Sequence, residues 1–131
     1  EKSGATLEEL CGMYLKKTSC LLSSGAVCGS ILAGANEEEL KYAAEYAEKL
    51  GLAFQIIDDI LDCTSDEKTL GKPIGSDEKN GKTTYVTLLG IDGAKAEAER
   101  LSDEALTALC KIKGDNAALR ELTADLLDRK F

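Results

Sequence analysis

Hydrophobic residues recur every three or four positions along the first third of the chain, which is the spacing of one face of an α-helix. Thr6 followed by Glu9 forms a capping-box pattern and predicts the start of a helix. The apolar pattern then continues to about Ala33, which predicts one long amphipathic helix. The predicted inward face consists of Leu7, Leu10, Cys11, Tyr14, Leu15, Thr18, Leu21, Leu22, Gly25 and Cys28.

A second long helix is predicted to begin at another capping-box pattern, Asn36 followed by Glu39. Apolar residues at helical spacing extend it to about Cys63. This stripe is expected to pack against the first helix. It consists of Leu40, Ala43, Ala44, Ala47, Leu50, Phe54, Ile57 and Leu61.

The pattern changes after the second helix. Residues 64–82 lose the periodicity and collect glycines, lysines and the single proline, so they are predicted as a long loop, usually a functional kind of segment. Helices are predicted over 83–89, from Asp92 to about Ile112, and after a cap at Asp115 or Asn116. No strand is predicted, so we expect an all-α helical bundle over residues 1–131 without an internal domain boundary. The last helix carries Leu119, Leu122, Leu126 and Leu127.

Composition and charge exclude several classes of function. The chain has 131 residues, 44% of them hydrophobic, and a net charge of −8. A surface that binds nucleic acid or anionic membranes needs a basic stripe, so neither partner is expected. The chain has no histidine, which excludes Ser-His, Cys-His and His-metal chemistry built from these residues alone.

Five cysteines are scattered without a CxxC spacing: Cys11, Cys20, Cys28, Cys63 and Cys110. The odd number and the lack of an apparent signal peptide favour a reduced, cytoplasmic setting. We expect the cysteines to be small buried apolar residues rather than thiolate nucleophiles. No apolar run approaches the roughly 18 residues of a membrane span, so none is expected.

Three carboxylates, Asp58, Asp59 and Asp62, cluster near the predicted end of the second helix. Asp58 and Asp62 are four residues apart and share a face, where like charges repel. The helix C-terminus also disfavours negative charge, so each effect costs a few tenths to about 1 kcal/mol. A bound hard cation would offset this cost. Oxygen ligands that leave room for water and phosphate suit Mg²⁺. The alternative is a solvated acidic face.

Lysines accompany this cluster. Lys72 and Lys82 each follow a glycine in the predicted loop, and lysine binds phosphate as a point charge. Lys17 interrupts the first helix next to Thr18, so its side chain could point into a cleft. Taken alone, each of these lysines would be expected to be solvated surface.

Three segments together resemble a known family. They are residues 51–62 (GLAFQIIDDILD), 70–77 (LGKPIGSD) and 81–85 (GKTTY). They look like the second aspartate-rich region of the trans-isoprenyl diphosphate synthases, closest to bacterial farnesyl diphosphate synthases. Lys17-Thr18 and the stretch up to Gly34 resemble the Lys-Thr helix of that family, so the resemblance covers most of residues 6–130. Ser19 departs from it, because the family usually has glycine there.

The resemblance implies the isoprenoid synthase fold and a Mg²⁺-dependent prenyltransferase. In this family metals and cations neutralise a departing diphosphate, isopentenyl diphosphate attacks the allylic carbocation, and a proton is lost, so histidine is not required. Asp58 would be a Mg²⁺ ligand, with Asp59 and Asp62 as supporting or water-mediated ligands. The implied substrate-binding residues are Lys17, Thr18, Phe54, Gln55, Lys72 and Lys82, among which Lys17 and Lys72 would hold the allylic diphosphate and act in catalysis.

The family's first aspartate-rich motif does not occur in this sequence, so we expect the chain to be the C-terminal half of an enzyme that is a homodimer when complete. Apolar faces that include Leu22 and Ile57 would then be partly uncovered. An alternative is a non-catalytic Mg²⁺-diphosphate-binding or regulatory subunit of such a synthase. A terpene cyclase is disfavoured because the Lys72 segment resembles the chain-elongating enzymes. Farnesyl diphosphate is the expected product.

Overall fold

The computed structural model describes residues 4–70 and 83–127, and within these ranges it contains helices but no strand. Helix α1 spans Leu7–Tyr14 and passes through a π-helical segment, Leu15–Ser19, directly into α2, Cys20–Leu32. The later helices are α3, Glu37–Leu70; α4, Tyr85–Leu109; and α5, Ala117–Leu127. The prediction of an all-α fold is confirmed.

The helix starts predicted from capping patterns are also confirmed. The Thr6 hydroxyl accepts a hydrogen bond from the Glu9 backbone N–H at 3.2 Å, and the Thr6 N–H donates to the Glu9 carboxylate at 2.8 Å. Asn36 and Glu39 form the same reciprocal pair at the start of α3. These contacts satisfy N–H groups that have no partner within the helix.

Helix α3 is the central element, because it packs against each of the other described helices. One core cluster joins it to α1 and α4 through fully buried side chains such as Leu10, Ile56 and Leu101. A second cluster lies nearer the start of α3 and joins Tyr46 and Leu50 to the end of α4. The face of α3 that bears Ile57 is therefore covered within the chain. The expectation that Ile57 is partly uncovered is wrong, since it is 1% exposed.

The π-helical segment changes which face of α2 points inward. A π-turn adds one residue to the helical repeat, so every later position is rotated relative to a regular α-helix. Ser19 is fully buried and Ala26 packs against the second core cluster, whereas Leu21 and Leu22 are exposed. The predicted inward stripe is thus correct through Tyr14 and displaced by one residue afterwards.

The same rotation affects the cysteines. Cys20 and Cys28 of α2 are exposed, as is Cys110, whereas Cys11 and Cys63 are partly buried. The prediction that the cysteines are buried is wrong for the three exposed ones. All five are free thiols.

The second half of the chain also departs from the predicted bounds. Residues 64–70 continue α3 instead of starting a loop, because this segment has no glycine or proline to stop a helix. Residues 71–82 lie outside the described residues. The two helices predicted on either side of position 90 form one element, α4, kinked at Gly90, whose φ of 74° and ψ of 170° suit only glycine. Helix α4 ends at Leu109 rather than Ile112.

Helix α5 begins as predicted from its capping residues. Asp115 accepts a hydrogen bond from the Ala117 N–H at 2.9 Å, and the Asn116 carbonyl accepts from the Arg120 N–H at 3.0 Å. Leu126 packs against the second core cluster, while Leu119 and Leu122 are 40% and 47% exposed. Among the described helices, none is long and apolar enough to span a membrane.

Candidate functional site

The first helical segment runs antiparallel to α3 and brings the Lys-Thr pair beside it. The Ser19 hydroxyl donates to the Glu48 carbonyl at 3.1 Å, and the Tyr14 hydroxyl donates to the Asp59 carboxylate. Lys17 lies between these two contacts, so its backbone runs alongside the part of α3 that leads to the aspartates. Its side chain is exposed, and that of Thr18 is half-buried.

The helices approach each other closely at Gly51. A Cβ atom there would lie 2.5 Å from the Ser19 Oγ and 2.9 Å from the Ser19 Cα, so only glycine fits without a shift. Ser19 is fully buried at this point. The π-helical segment that carries Lys17 is therefore fixed against α3 by backbone packing. Such π-turns occur frequently at functional sites.

The three aspartates lie in different environments. Asp62 is exposed, Asp58 is half-buried, and Asp59 is 9% exposed. Asp58 and Asp62 are one helical turn apart on the same face of α3, as predicted, whereas Asp59 is directed toward α1. The cluster thus divides into two outward carboxylates and one inward carboxylate.

Tyr14 is the buried partner of Asp59, and the sequence analysis placed it only in an apolar stripe. Burial, followed by the hydrogen bond and charge of Asp59, raises the pKa of Tyr14 well above its ordinary value, so the phenol stays protonated and donates. The Tyr14 ring packs against the ring of Tyr85, with centroids 5.6 Å apart. Burial and a hydrogen bond with Cys11 raise the pKa of Tyr85 as well.

Phe54 and Gln55 precede the aspartates on α3. Phe54 is half-buried, and Gln55 is 7% exposed. The Oε1 atom of Gln55 is buried without a hydrogen-bond partner. A buried acceptor of this kind usually binds a water molecule or a ligand, because leaving it unsatisfied costs about 1–3 kcal/mol. This environment is compatible with the predicted substrate-binding role of Gln55.

The donor chemistry of Asp58 and Asp62 fits a hard divalent cation. Within residues 4–70 and 83–127, no group of three or more His, Cys, Asp or Glu side chains converges as a metal cage. Mg²⁺ does not need such a cage, since it commonly uses one or two carboxylates together with water and substrate phosphate. Lys72 and Lys82, the two other predicted phosphate-binding residues, lie outside the described residues.

The family model for polyprenyl synthetases matches residues 1–123. The chain belongs to the polyprenyl synthetase family. The resemblance stated from the aspartate-rich segment and the Lys-Thr helix is therefore confirmed.

Individual relatives agree with this assignment. The polyprenyl synthetase chain is 44% identical over 112 residues to geranylgeranyl pyrophosphate synthase 11, chloroplastic, of Arabidopsis thaliana, and the match covers 86% of this chain. It covers 31% of that protein, so the chain spans about a third of the length of the curated relatives it matches.

Solved structures share the architecture. An FPP/GFPP synthase from Zymomonas mobilis is 26% identical, with a TM-score of 0.77 over 96% of this chain and 40% of that one. A geranyltransferase from Helicobacter pylori, solved with magnesium and isoprenyl diphosphate, is 34% identical, with a TM-score of 0.70 over 97% of this chain and 42% of that one. The fold is the all-α isoprenoid synthase fold.

Proposed function

We propose that this chain supplies the second aspartate-rich region of a short-chain prenyltransferase that condenses an allylic diphosphate with isopentenyl diphosphate. The observation that carries the proposal is the pair Asp58 and Asp62 on one outward face of α3, with the Lys17 segment packed alongside. Family membership supports the class of reaction.

In this proposal each residue acts on the diphosphate. Asp58 binds Mg²⁺, and Asp59 and Asp62 support the same site directly or through water. When bound, Mg²⁺ neutralises the negative charge that develops on the departing diphosphate. Lys17 and Lys72 bind the oxygens of the allylic diphosphate as point charges, and Lys82 is a more distant candidate.

Other residues would shape the pocket near the reacting carbons. Phe54 provides an apolar wall, and the Gln55 Oε1 atom provides a buried acceptor. Thr18 borders the diphosphate beside Lys17. These assignments follow the family motif and the environments of the residues on α1 and α3.

The product is proposed to be farnesyl or geranylgeranyl diphosphate. Farnesyl diphosphate is the product expected from the sequence, and FPP appears in the name of the Zymomonas neighbour. Geranylgeranyl diphosphate is the second candidate, because the Arabidopsis relative at 44% identity is named for it.

The proposed enzyme is a homodimer in the cytoplasm, an expectation that rests on the sequence. The Arabidopsis relative is named as chloroplastic, and another from the same plant as mitochondrial. Size-exclusion chromatography with light scattering on the longest natural polypeptide that contains these residues tests the dimer. Cell fractionation tests the compartment.

The activity is tested by incubating that polypeptide with labelled isopentenyl diphosphate, an allylic diphosphate and MgCl₂. We expect a longer prenyl diphosphate that forms only when both substrates and Mg²⁺ are present. Chromatography of the dephosphorylated products separates farnesol from geranylgeraniol. Mg²⁺-dependent binding of pyrophosphate without any product would contradict the proposal and favour the non-catalytic subunit.

A further inference from the structure

Tyr14 contacts the aspartate-rich segment from a different helix, and the proposed reaction gives it no role. It lies on α1, 45 residues before Asp59, and its hydroxyl donates to Oδ2 of the Asp59 carboxylate. We propose that Tyr14 is a positioning residue that orients the Asp59 carboxylate and thereby sets the strength of Mg²⁺-diphosphate binding. The inference rests on the proposed function of the aspartate-rich segment.

The chemistry of the donor supports this role. Asp59 is 9% exposed, and a buried carboxylate needs hydrogen-bond donors to remain charged. A lysine or arginine partner would stabilise the carboxylate but would also cancel its charge. The neutral phenol of Tyr14 stabilises one oxygen and leaves the net charge of the segment unchanged. That charge is what attracts a divalent cation.

The ring of Tyr14 is held in place independently of Asp59. Tyr14 is 3% exposed and packs against Tyr85, also 3% exposed, with ring centroids 5.6 Å apart. Leu10, one turn earlier on α1, is fully buried in the same core cluster. The hydroxyl therefore approaches Asp59 from a fixed direction, so the carboxylate cannot rotate freely without losing the hydrogen bond.

Tyr46 provides a matched control. It is 4% exposed, and its hydroxyl is also hydrogen-bonded, at 3.2 Å to the Leu119 carbonyl and at 3.1 Å to the Thr123 hydroxyl. It belongs to the other core cluster. Tyr46→Phe thus removes an equivalent buried hydroxyl without touching the aspartate-rich segment.

The experiment measures binding of inorganic pyrophosphate at fixed MgCl₂ by calorimetry, in the longest natural polypeptide that contains the chain. Tyr14→Phe is expected to weaken binding by about fivefold or more, because a hydrogen bond to a charged group is lost. Tyr46→Phe should stay within about twofold of the unmodified protein. Equal effects of the two substitutions would overturn the proposal.

Asp59→Asn tests the same idea from the other partner. The amide oxygen can still accept the hydrogen bond, but the charge is gone, so binding should weaken. Adding Tyr14→Phe to Asp59→Asn should then have less than about a twofold further effect, since no carboxylate is left to orient. Binding unchanged by Asp59→Asn, or a full additional loss in the double variant, would overturn the proposal.

Asp58→Asn separates this inference from the proposed function. If Asp58→Asn leaves Mg²⁺-dependent pyrophosphate binding unchanged, the proposed function fails. If Asp58→Asn abolishes binding while Tyr14→Phe behaves like Tyr46→Phe, only the role of Tyr14 fails.

Discussion

Replacing Gly51 with alanine tests the close packing that fixes the Lys17 segment against α3. The added Cβ would lie 2.5 Å from the Ser19 Oγ, 2.9 Å from the Ser19 Cα and 3.1 Å from the Ser19 Cβ. The hydroxyl can rotate away, but the Cα belongs to the backbone, so the helices must separate.

The expected magnitude follows from three opposing effects. Alanine favours a helix over glycine by about 0.8–1 kcal/mol. Overpacking costs about 1–3 kcal/mol, and a weakened bond from Ser19 to the Glu48 carbonyl, 3.1 Å long, costs about 0.5–1.5 kcal/mol more. Gly51→Ala should therefore lower the free energy of unfolding by roughly 1–3 kcal/mol.

Urea unfolding followed by circular dichroism measures this change. Gly25→Ala is the matched control, because Gly25 is an exposed glycine of α2 whose added Cβ would meet nothing within 4 Å. The control should be neutral or raise the free energy of unfolding by up to about 1 kcal/mol. Ser19→Gly in the Gly51→Ala background should restore part of the loss. If Gly51→Ala stabilises the protein as the control does, the close approach is refuted.

Two further predictions concern the surface. Lys49, at 2.6 Å, and Arg100 lower the pKa of Glu104 below 4.5, so its stabilisation is present above that pH and disappears as the pH falls through the lower folded-state pKa. Glu104→Gln should cost about 0.2–1 kcal/mol at neutral pH and nothing in acid, and a pH-independent cost in urea unfolding would contradict this. The isolated chain should self-associate, because α2 buries no residue and exposes Leu21 and Leu32 at 79% and 89%. Light scattering should show association across salt concentrations, since charge repulsion is screened beyond about 8 Å at physiological salt, and a sharp monomer without dye-accessible apolar surface would contradict it.

Local sequence patterns predicted the helix starts, because capping is decided by residues three positions apart. Thr6 and Asn36 form the expected pairs. The face of α2 was not predictable in the same way. One extra residue in the π-helical turn rotates Leu21 and Leu22 outward, and nothing in the apolar spacing around Lys17 signals that turn.

The candidate site shows the same division between local and distant information. Residue types and helical spacing were sufficient to place Asp58 and Asp62 on one face of α3. The inward direction of Asp59 depends on Tyr14, which is 45 positions away and comes from another helix. Such a pairing is created by the packing of α1 on α3, so sequence spacing alone does not reveal it.

The most direct test of the proposed function is the turnover of Asp58→Ala in the longest natural polypeptide that contains the chain, measured with labelled isopentenyl diphosphate. Asp103→Asn, an exposed carboxylate of α4, is the control. We expect Asp58→Ala to reduce turnover by at least about a hundredfold, while thermal unfolding changes little because one of several clustered like charges is removed. Turnover close to that of Asp103→Asn would contradict the assignment of the aspartate-rich face as the Mg²⁺-diphosphate site.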